Sequence, residues 1–298
     1  MLAQWLGRAD LLAATPAQIL TAAARGAAIA IEEPVRIATP LHCVAGLDRV
    51  HLPSDGLLRL AMADLQDLVR AFEQQFAADG LQLEAVAETL LLHGLVDDDA
   101  RTHDPARWLG RDLREAGPTG ASALFRRRNS EIEMWLHALP LNARRQSQGQ
   151  PPITHLWLWG DAALRHQSES LPPKGDLALR SPVALYSDEA FATALAGLAQ
   201  LPVAAIPSAA TVLASAANTA VVVAGGASLG DLPAVERDWL APALQALERS
   251  SLRELWIVAS DRLLRVAAGQ QWHFWRPRQT WLEALGEDSL ALPSRRSA

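Results

Sequence analysis

Residues 136–160 read LHALPLNARRQSQGQPPITHLWLWG. The first part is polar and helix-like, the proline pair Pro151-Pro152 interrupts it, and an abrupt alternation follows that ends in HLWLWG. Trp157 and Trp159 stand two residues apart, so in a strand both side chains point to the same side. The stretch is a joint between two rhythms. Upstream, strand pairs are mixed with helices. Downstream of residue 151, strands and helices alternate: THLWLWG, PVALYS and the helix DEAFATALAGLAQ, then TAVVVAG and the helix VERDWLAPALQALERS, then the strands LRELWIVAS and RLLRVAAG. Such alternation predicts a parallel or mixed sheet. The expected fold is therefore α/β. Residues 1–150 form an α+β half with strand hairpins and helices, and residues 151–298 a sheet layered with helices, the two packed as one globular unit.

Upstream, Thr15-Pro16 predicts a helix N-cap with proline at the first helical position, opening a helix to about Arg25. AAIAIEE reads as a strand. VRIATPLHCVAGLDRVHL reads as strands with a hairpin at Gly46, Leu47 and Asp48. Ser54-Asp55 predicts the cap of a helix over roughly 57–78, with Leu57, Leu60, Ala61, Leu65, Leu68, Val69, Phe72 and Phe76 on one stripe and Gly80 at its end. LQLEAV and ETLLLHGLV predict a second hairpin. A long helix is expected from near Pro118-Thr119 past Trp135, broken or kinked at Pro140.

The chain has 298 residues, half of them apolar, which is enough for a real core. Its net charge of −6 argues against a nucleic-acid partner, whose phosphates want a basic surface. Cys43 is the one cysteine, so the chain forms no internal disulfide and nothing points to an oxidising compartment. MLAQWLGRADLL lacks the basic-then-apolar order of a signal peptide. No stretch reaches the ~18 apolar residues of a membrane span. A cytoplasmic protein that does not enter membranes is the expectation.

Chemistry-bearing motifs are sparse. Asp97, Asp98, Asp99, His103 and Asp104 form the densest acidic cluster, but a calcium loop also needs a glycine turn and a distal glutamate in register, so a solvated loop is expected. Asp48 and His51 lie close enough in sequence to face one another across a turn. Gly226, Ser228 and Gly230 spell G-x-S-x-G after a strand, and Asp261 and His273 follow in the order of a hydrolase triad. Asp231-Leu-Pro233 delays the helix that a nucleophile elbow needs at once, so a small-residue loop is the expected reading. There is no phosphate-binding glycine motif. The segment WHFWRPRQTW is expected to use its tryptophans for core or interface packing.

Several segments, LHCVAGLDRVHL, LGRDL, NSEIEMWLHALPLNARRQSQGQPPITHLWLWG and VERDWLAPALQAL, occur in an order that resembles one bacterial family. It is the RpfE-type regulatory proteins, often labelled cofactor-independent phosphoglycerate mutase, and the resemblance runs from about Thr39 to Trp275. The family pattern is an Asn-Glu-x-Gln-Met-type helix, His-Pro-x-Asn, Arg and Gly, then Pro-x-Asn-Ser-Leu-Trp and Gly. Archaeal-type phosphoglycerate mutases of the alkaline-phosphatase superfamily carry a related pattern where an inserted domain returns to the catalytic sheet. Here Leu139 replaces the motif histidine while Pro140 and Asn142 remain, and Thr154 replaces the second asparagine. Arg145 matches the motif arginine approximately. The mutases use two divalent metals held by Asp-Gly and Asp-His segments, which this chain lacks; beyond Gly160 its histidines are His166 and His273, neither beside an aspartate.

The resemblance thus implies a phosphoglycerate-mutase-like regulatory protein without catalytic residues, metal or cofactor, acting on a protein partner or a small phosphorylated metabolite. Its candidate ligand pocket comprises Asn142, Arg144, Arg145, His155 and Gly160. The competing structural reading makes Asn142 a helix-turn cap, the arginines solvent-facing, and Trp157 and Trp159 core residues. The enzymatic alternative is a metal-dependent mutase or related phosphatase using Mn²⁺ or Mg²⁺, with ligands converging from residues such as His42, Asp48, His51 and Asp104.

Overall fold

In the computed structural model, Thr15 Oγ1 accepts from the Gln18 amide and the Gln18 side chain accepts from the Thr15 amide. This reciprocal cap starts α1 (Pro16–Arg25) where the sequence predicts it, and Gly26 ends it at φ +57°. The structure describes residues 11, 13–29, 34–46, 49–95, 100–160, 183–215, 217, 219–223, 232–259 and 262–268. Most of the expected strand AAIAIEE, the G-x-S-x-G motif, the Asp97–Asp99 run and the tryptophan-rich C-terminal segment lie outside them. The chain divides into two units, Met1–Gly230 and Asp231–Ala298.

β1 (Val35–Leu41), β2 (Val44–Ala45) and β3 (Val50–Leu52) follow α1. β2 and β3 make the expected hairpin, closed by the Gly46 amide on Arg49 O at 2.8 Å. The next helix starts later than predicted. α2 runs over Met62–Phe76, and its N-cap Ala61 offers no side-chain bond, so Ser54-Asp55 caps nothing. Long-range bonds hold the intervening segment: the His42 amide donates to Gly56 O at 2.8 Å and the Leu58 amide to Pro40 O at 3.0 Å. Gly56 is required there, since a Cβ would lie 2.8 Å from His42 O. The predicted stripe holds within α2, where Leu65, Leu68, Phe72 and Phe76 are buried. Gly80, at φ +77°, turns the chain into the second predicted hairpin, β4 (Gln82–Val86) and β5 (Thr89–His93).

β6 (Arg111–Asp112) joins β2 and β3 in a small sheet of order β2-β3-β6. Ser122 Oγ accepts from the Phe125 amide at 3.0 Å and starts α3 (Ala123–Ala138) a few residues after the expected Pro118-Thr119. Pro140 breaks the helix as predicted. α3 stops, Leu139 is extended at φ −70° and ψ 125°, and Pro140 occupies the first turn of α4 (Pro140–Ser147), where its missing amide hydrogen costs nothing.

After the proline pair comes β7 (His155–Trp159). It pairs antiparallel with β1, from Leu41↔His155 to Ile37↔Trp159. The central sheet has the order β4-β5-β1-β7, so the strand beyond residue 151 completes a sheet begun upstream. The pleat sorts its faces. Ala38, Leu90, Leu92, Leu156 and Leu158 pack with Leu65, Phe72, Ile132 and Leu136 of α2 and α3. Val35, Ile37 and Leu91 pack with Ile19 and Leu20 of α1 and with Leu195. Trp157 packs with Leu41, Cys43 and Leu52, and its indole donates to His103 O at 2.8 Å.

Further on, β8 (Val183–Ser187), α5 (Ala190–Leu198), β9 (Val203–Ala204), α6 (Ala209–Leu213) and β10 (Thr219–Val223) supply the expected strand–helix alternation. Their sheet is parallel, in the order β10-β8-β9. α5 carries Leu195, so the helix between the parallel strands covers the far face of the antiparallel sheet. The architecture is mixed α/β. In the second unit, α7 (Leu232–Val235), a π-helical turn (Glu236–Leu240) and α8 (Ala241–Glu248) precede the hairpin of β11 (Glu254–Ala259) and β12 (Arg262–Ala267). Pro242 cannot donate to the preceding turn, which accounts for the local slip into π geometry.

The opening joint is held by side chains. Prolines 151 and 152 bring no amide hydrogen, but their carbonyls still need donors. Arg145 Nε–H donates to Pro151 O at 3.0 Å. The His42 ring nitrogen Nδ1 meets Pro152 O at 3.0 Å, and since a carbonyl only accepts, Nδ1 carries the hydrogen. Asn142 Nδ2 donates to Ile153 O at 2.8 Å and to Leu136 O at 2.7 Å, while its Oδ1 accepts from the Ile153 amide at 2.8 Å. Polar residues thus crowd into α4 because they turn back and tie the connector into β7. Asn142→Ala strands the buried Ile153 carbonyl and amide, while Leu136 O keeps the Leu139 amide, and is expected to cost about 3 kcal/mol in urea unfolding. Asn142→Asp keeps the bond from Ile153 but turns an acceptor toward two carbonyls, and should lose as much.

Candidate functional site

Of the five candidate residues, Asn142, Arg144 and Arg145 share α4, while His155 and Gly160 stand at opposite ends of β7. Asn142 is buried and fully engaged in the connector. Arg145 is buried, with Nη1 on Asp64 Oδ2 at 2.6 Å besides its bond to Pro151 O. Arg144 is more exposed and reaches both Asp64 Oδ1 at 2.8 Å and Asp67 Oδ2 at 2.6 Å. Both guanidiniums therefore face carboxylates of α2 that sit on one face, three residues apart. Burial pushes the Asp64 carboxyl up, but the hydrogen bonds from Arg144 and Arg145 and their charges outweigh it and hold the group below its ordinary 3.8. Gly160 lies just past the far end of β7 from His155, about 16 Å along the strand. It adopts φ +81°, and its carbonyl accepts from the Ala17 amide at 3.4 Å. A Cβ there would come 3.1 Å from Ile37 Cδ1, so Gly160 serves the close approach of α1 to the sheet.

The residues considered for a metal are also dispersed in role. His42 is tied to Pro152 O, and His51 pairs across the small sheet with Val44 and Asp112. Asp104 accepts from the Ala106 amide at 2.9 Å and caps a short 3₁₀ turn; burial raises its carboxyl against that hydrogen bond and the charge of Arg107. Asp48 lies outside the described residues. Among the described residues, no group of three His, Cys, Asp or Glu side chains is placed to hold a metal ion.

His155 borders a cavity of about 190 Å³ between α3, the edge of β7 and the loop around Gly117-Pro118. Phe125, Asn129 and Glu133 of α3 line it, each four residues from the next, so the helix period puts them on one face. Val50, Leu113 and Trp157 add apolar wall. Asn129 Nδ2 donates to Glu133 Oε1. His155 Nε2 stands 3.6 Å from the same oxygen.

The tautomer of His155 follows from its neighbour. Thr154 Oγ1 donates to Leu41 O at 3.1 Å and accepts from the Cys43 amide at 2.7 Å. When that hydroxyl hydrogen goes to Leu41 O, His155 Nδ1, at 3.0 Å from Oγ1, is the donor. Nε2 is left with a lone pair facing Glu133. Burial pushes the imidazole below 6.5. Burial also pushes the Glu133 carboxyl above 4.5, opposed by the Asn129 bond. The thiol of Cys43 is pushed up to about 11 by burial, with the charge of Glu133 adding to it and the side-chain contact with Thr154 opposing it, so at neutral pH it is a thiol and a poor nucleophile. Asn129 and Glu133 lie in the motif segment NSEIEMW, which by itself gives neither a site role. Their signal was the polar pair at i, i+4 on the face that also holds Phe125.

No family model matches the chain, and no curated protein matches it. Among solved structures, a cofactor-independent phosphoglycerate mutase from Thermoplasma acidophilum DSM 1728 aligns at 14% identity with a TM-score of 0.31, over 76% of this chain and 65% of that one. The chain spans just under two thirds of that protein's length.

Two pH-dependent outcomes are expected. Asp64→Asn should cost about 2 kcal/mol at neutral pH. A carboxyl held low gives its stability above pH 3.8 and loses it below, so the gap to wild type should close in acid unfolding titrations. At the cavity the slopes oppose. A lowered imidazole costs stability as pH falls below 6.5, and a raised carboxyl costs stability as pH rises above 4.5. Unfolding against pH should lose the first slope in His155→Gln and the second in Glu133→Gln.

Proposed function

We propose that this chain is a regulatory binding protein of phosphoglycerate-mutase-like character that performs no phosphoryl transfer. The pairing of Arg144 and Arg145 with Asp64 and Asp67 carries this reading. Phosphoryl transfer relies on cationic groups aimed at the transferred phosphate. Here the two arginines that the motif resemblance offers to an anion already meet carboxylates, and Arg145 also holds a backbone carbonyl. A phosphorylated ligand would have to displace those partners. Support for the family itself comes from the ordered motif segments around Pro140, Asn142 and the HLWLW strand.

A cytoplasmic setting and a protein or small-metabolite partner belong to the same reading. Among the described residues, no helix is long and apolar enough to cross a membrane.

The test is direct. The full chain, supplied in turn with Mn²⁺ and Mg²⁺, is assayed for interconversion of 2- and 3-phosphoglycerate, and its thermal unfolding is followed with each ion and with 3-phosphoglycerate. A specific ligand at 100 times its dissociation constant adds about 2.7 kcal/mol. The expected result is no turnover and no stabilisation by 3-phosphoglycerate. Metal-dependent turnover would overturn the proposal in favour of the mutase.

A further inference from the structure

We propose that the cavity beside β7 is a binding site for a small primary amine bearing a single-ring apolar body, with its ammonium group held by Glu133, Asn129 and His155. The inference deepens the binding reading by naming a ligand class; of its three residues, His155 belongs to the candidate pocket of the resemblance, and the cavity adds Asn129 and Glu133.

The size comes first. A cavity of about 150 Å³ lined by aliphatic and aromatic side chains is enough to take benzene. At about 190 Å³ this one has room for a ring and one or two further atoms. Leu113, Phe125 and Trp157 give the ring its apolar walls.

The polar end decides the class. Asn129 Nδ2 is committed to Glu133 Oε1, which leaves the amide oxygen as an acceptor. His155 Nδ1 is committed to Thr154, which leaves Nε2 as an acceptor. Glu133 Oε2 is a third. Among the described residues these three atoms make no hydrogen bond to one another or to other groups, and the nearest approach, Nε2 to Glu133 Oε1, is 3.6 Å. Three acceptors and one ionisable carboxyl complement three N–H donors and a positive charge. A carboxylate or phosphate would bring acceptors to acceptors. An alcohol would satisfy one of the three and leave the charge unmatched.

The location suits a charged head and a buried tail. Glu133 is half-buried, with its side chain 36% exposed, whereas Phe125 is buried. The ammonium keeps part of its hydration while the ring lies against the apolar wall. Arg36 already lies over the Phe125 ring at 5.4 Å. That guanidinium keeps a ligand cation away from the Phe125 end and leaves the Glu133 end as its place.

The experiment uses benzylamine as the probe, with benzyl alcohol and benzoate as matched controls, in calorimetric titrations of the full chain. Benzylamine should bind, and benzyl alcohol and benzoate should each bind at least about tenfold more weakly. In Glu133→Gln, the affinity for benzylamine should fall by about tenfold or more while that for benzyl alcohol stays unchanged. Thermal unfolding of the variant checks that it is folded, and Asn129→Leu gives an independent loss from the same wall. Equal affinity for benzylamine and benzyl alcohol, full affinity for benzylamine in folded Glu133→Gln, or no binding of benzylamine up to about 10 mM would each overturn the proposal. Phosphoglycerate turnover with benzylamine binding intact would overturn the regulatory reading and leave this one standing.

Discussion

Three consecutive carbonyls, at Pro151, Pro152 and Ile153, must find donors in a segment where two of the residues bring no amide hydrogen. An unpaired buried carbonyl is expensive. The chain meets the requirement with Arg145, His42 and Asn142, drawn from α4 and from the link between β1 and β2. These bonds fix where the connector leaves the helices, and hence how β7 enters beside β1. The register Leu41↔His155 to Ile37↔Trp159 then decides that Leu156 and Leu158 meet α2 and α3 while Trp157 turns to the small sheet. A one-residue slip would exchange those faces.

The same requirement limits the chemistry of α4. A guanidinium has several donors, but it has one position. Arg145 spends its Nε on a backbone carbonyl and its Nη1 on Asp64, so it is a structural cation. The side chains left open toward a cavity are those of the facing helix, where Glu133 and Asn129 meet His155 at the first residue of β7. Structure and site are thus divided between two helices, α4 holding the connector and α3 lining the space beside it.

Features governed by local chemistry were legible in the sequence. The Thr15-Pro16 cap, both hairpins, the Gly80 stop and the break at Pro140 depend on residues close to one another along the chain, and each stands where it was expected. Ser54-Asp55 had the composition of a cap, but the pair sits in a turn closed by the Gly56 amide on Pro53 O, and Gly56 and Leu58 are then held by bonds to His42 and Pro40 that no local pattern announces. The HLWLW strand was legible as a strand. Its periodicity says which residues share a face and says nothing about which sheet receives it, so the pairing with β1 across more than a hundred residues was not readable. The arginines were visible as an anion-binding type, while their partners Asp64 and Asp67 lie some eighty residues away on another helix. Asn129 and Glu133 were visible as helical neighbours. Their meeting with His155 depends on the packing of α3 against β7.

β7 stands at the edge of its sheet, and its sequence, HLWLW, is short, apolar and rich in strand formers. A bare edge of that kind is a template for pairing with another chain. The loop at Thr102-His103 covers it. The Thr102 hydroxyl donates to Leu158 O, and the Trp157 indole donates back to His103 O. The loop that meets the tryptophan therefore also shields the strand edge at Leu158. It occupies the outward carbonyl of a strand that, uncovered, would be a template for self-association.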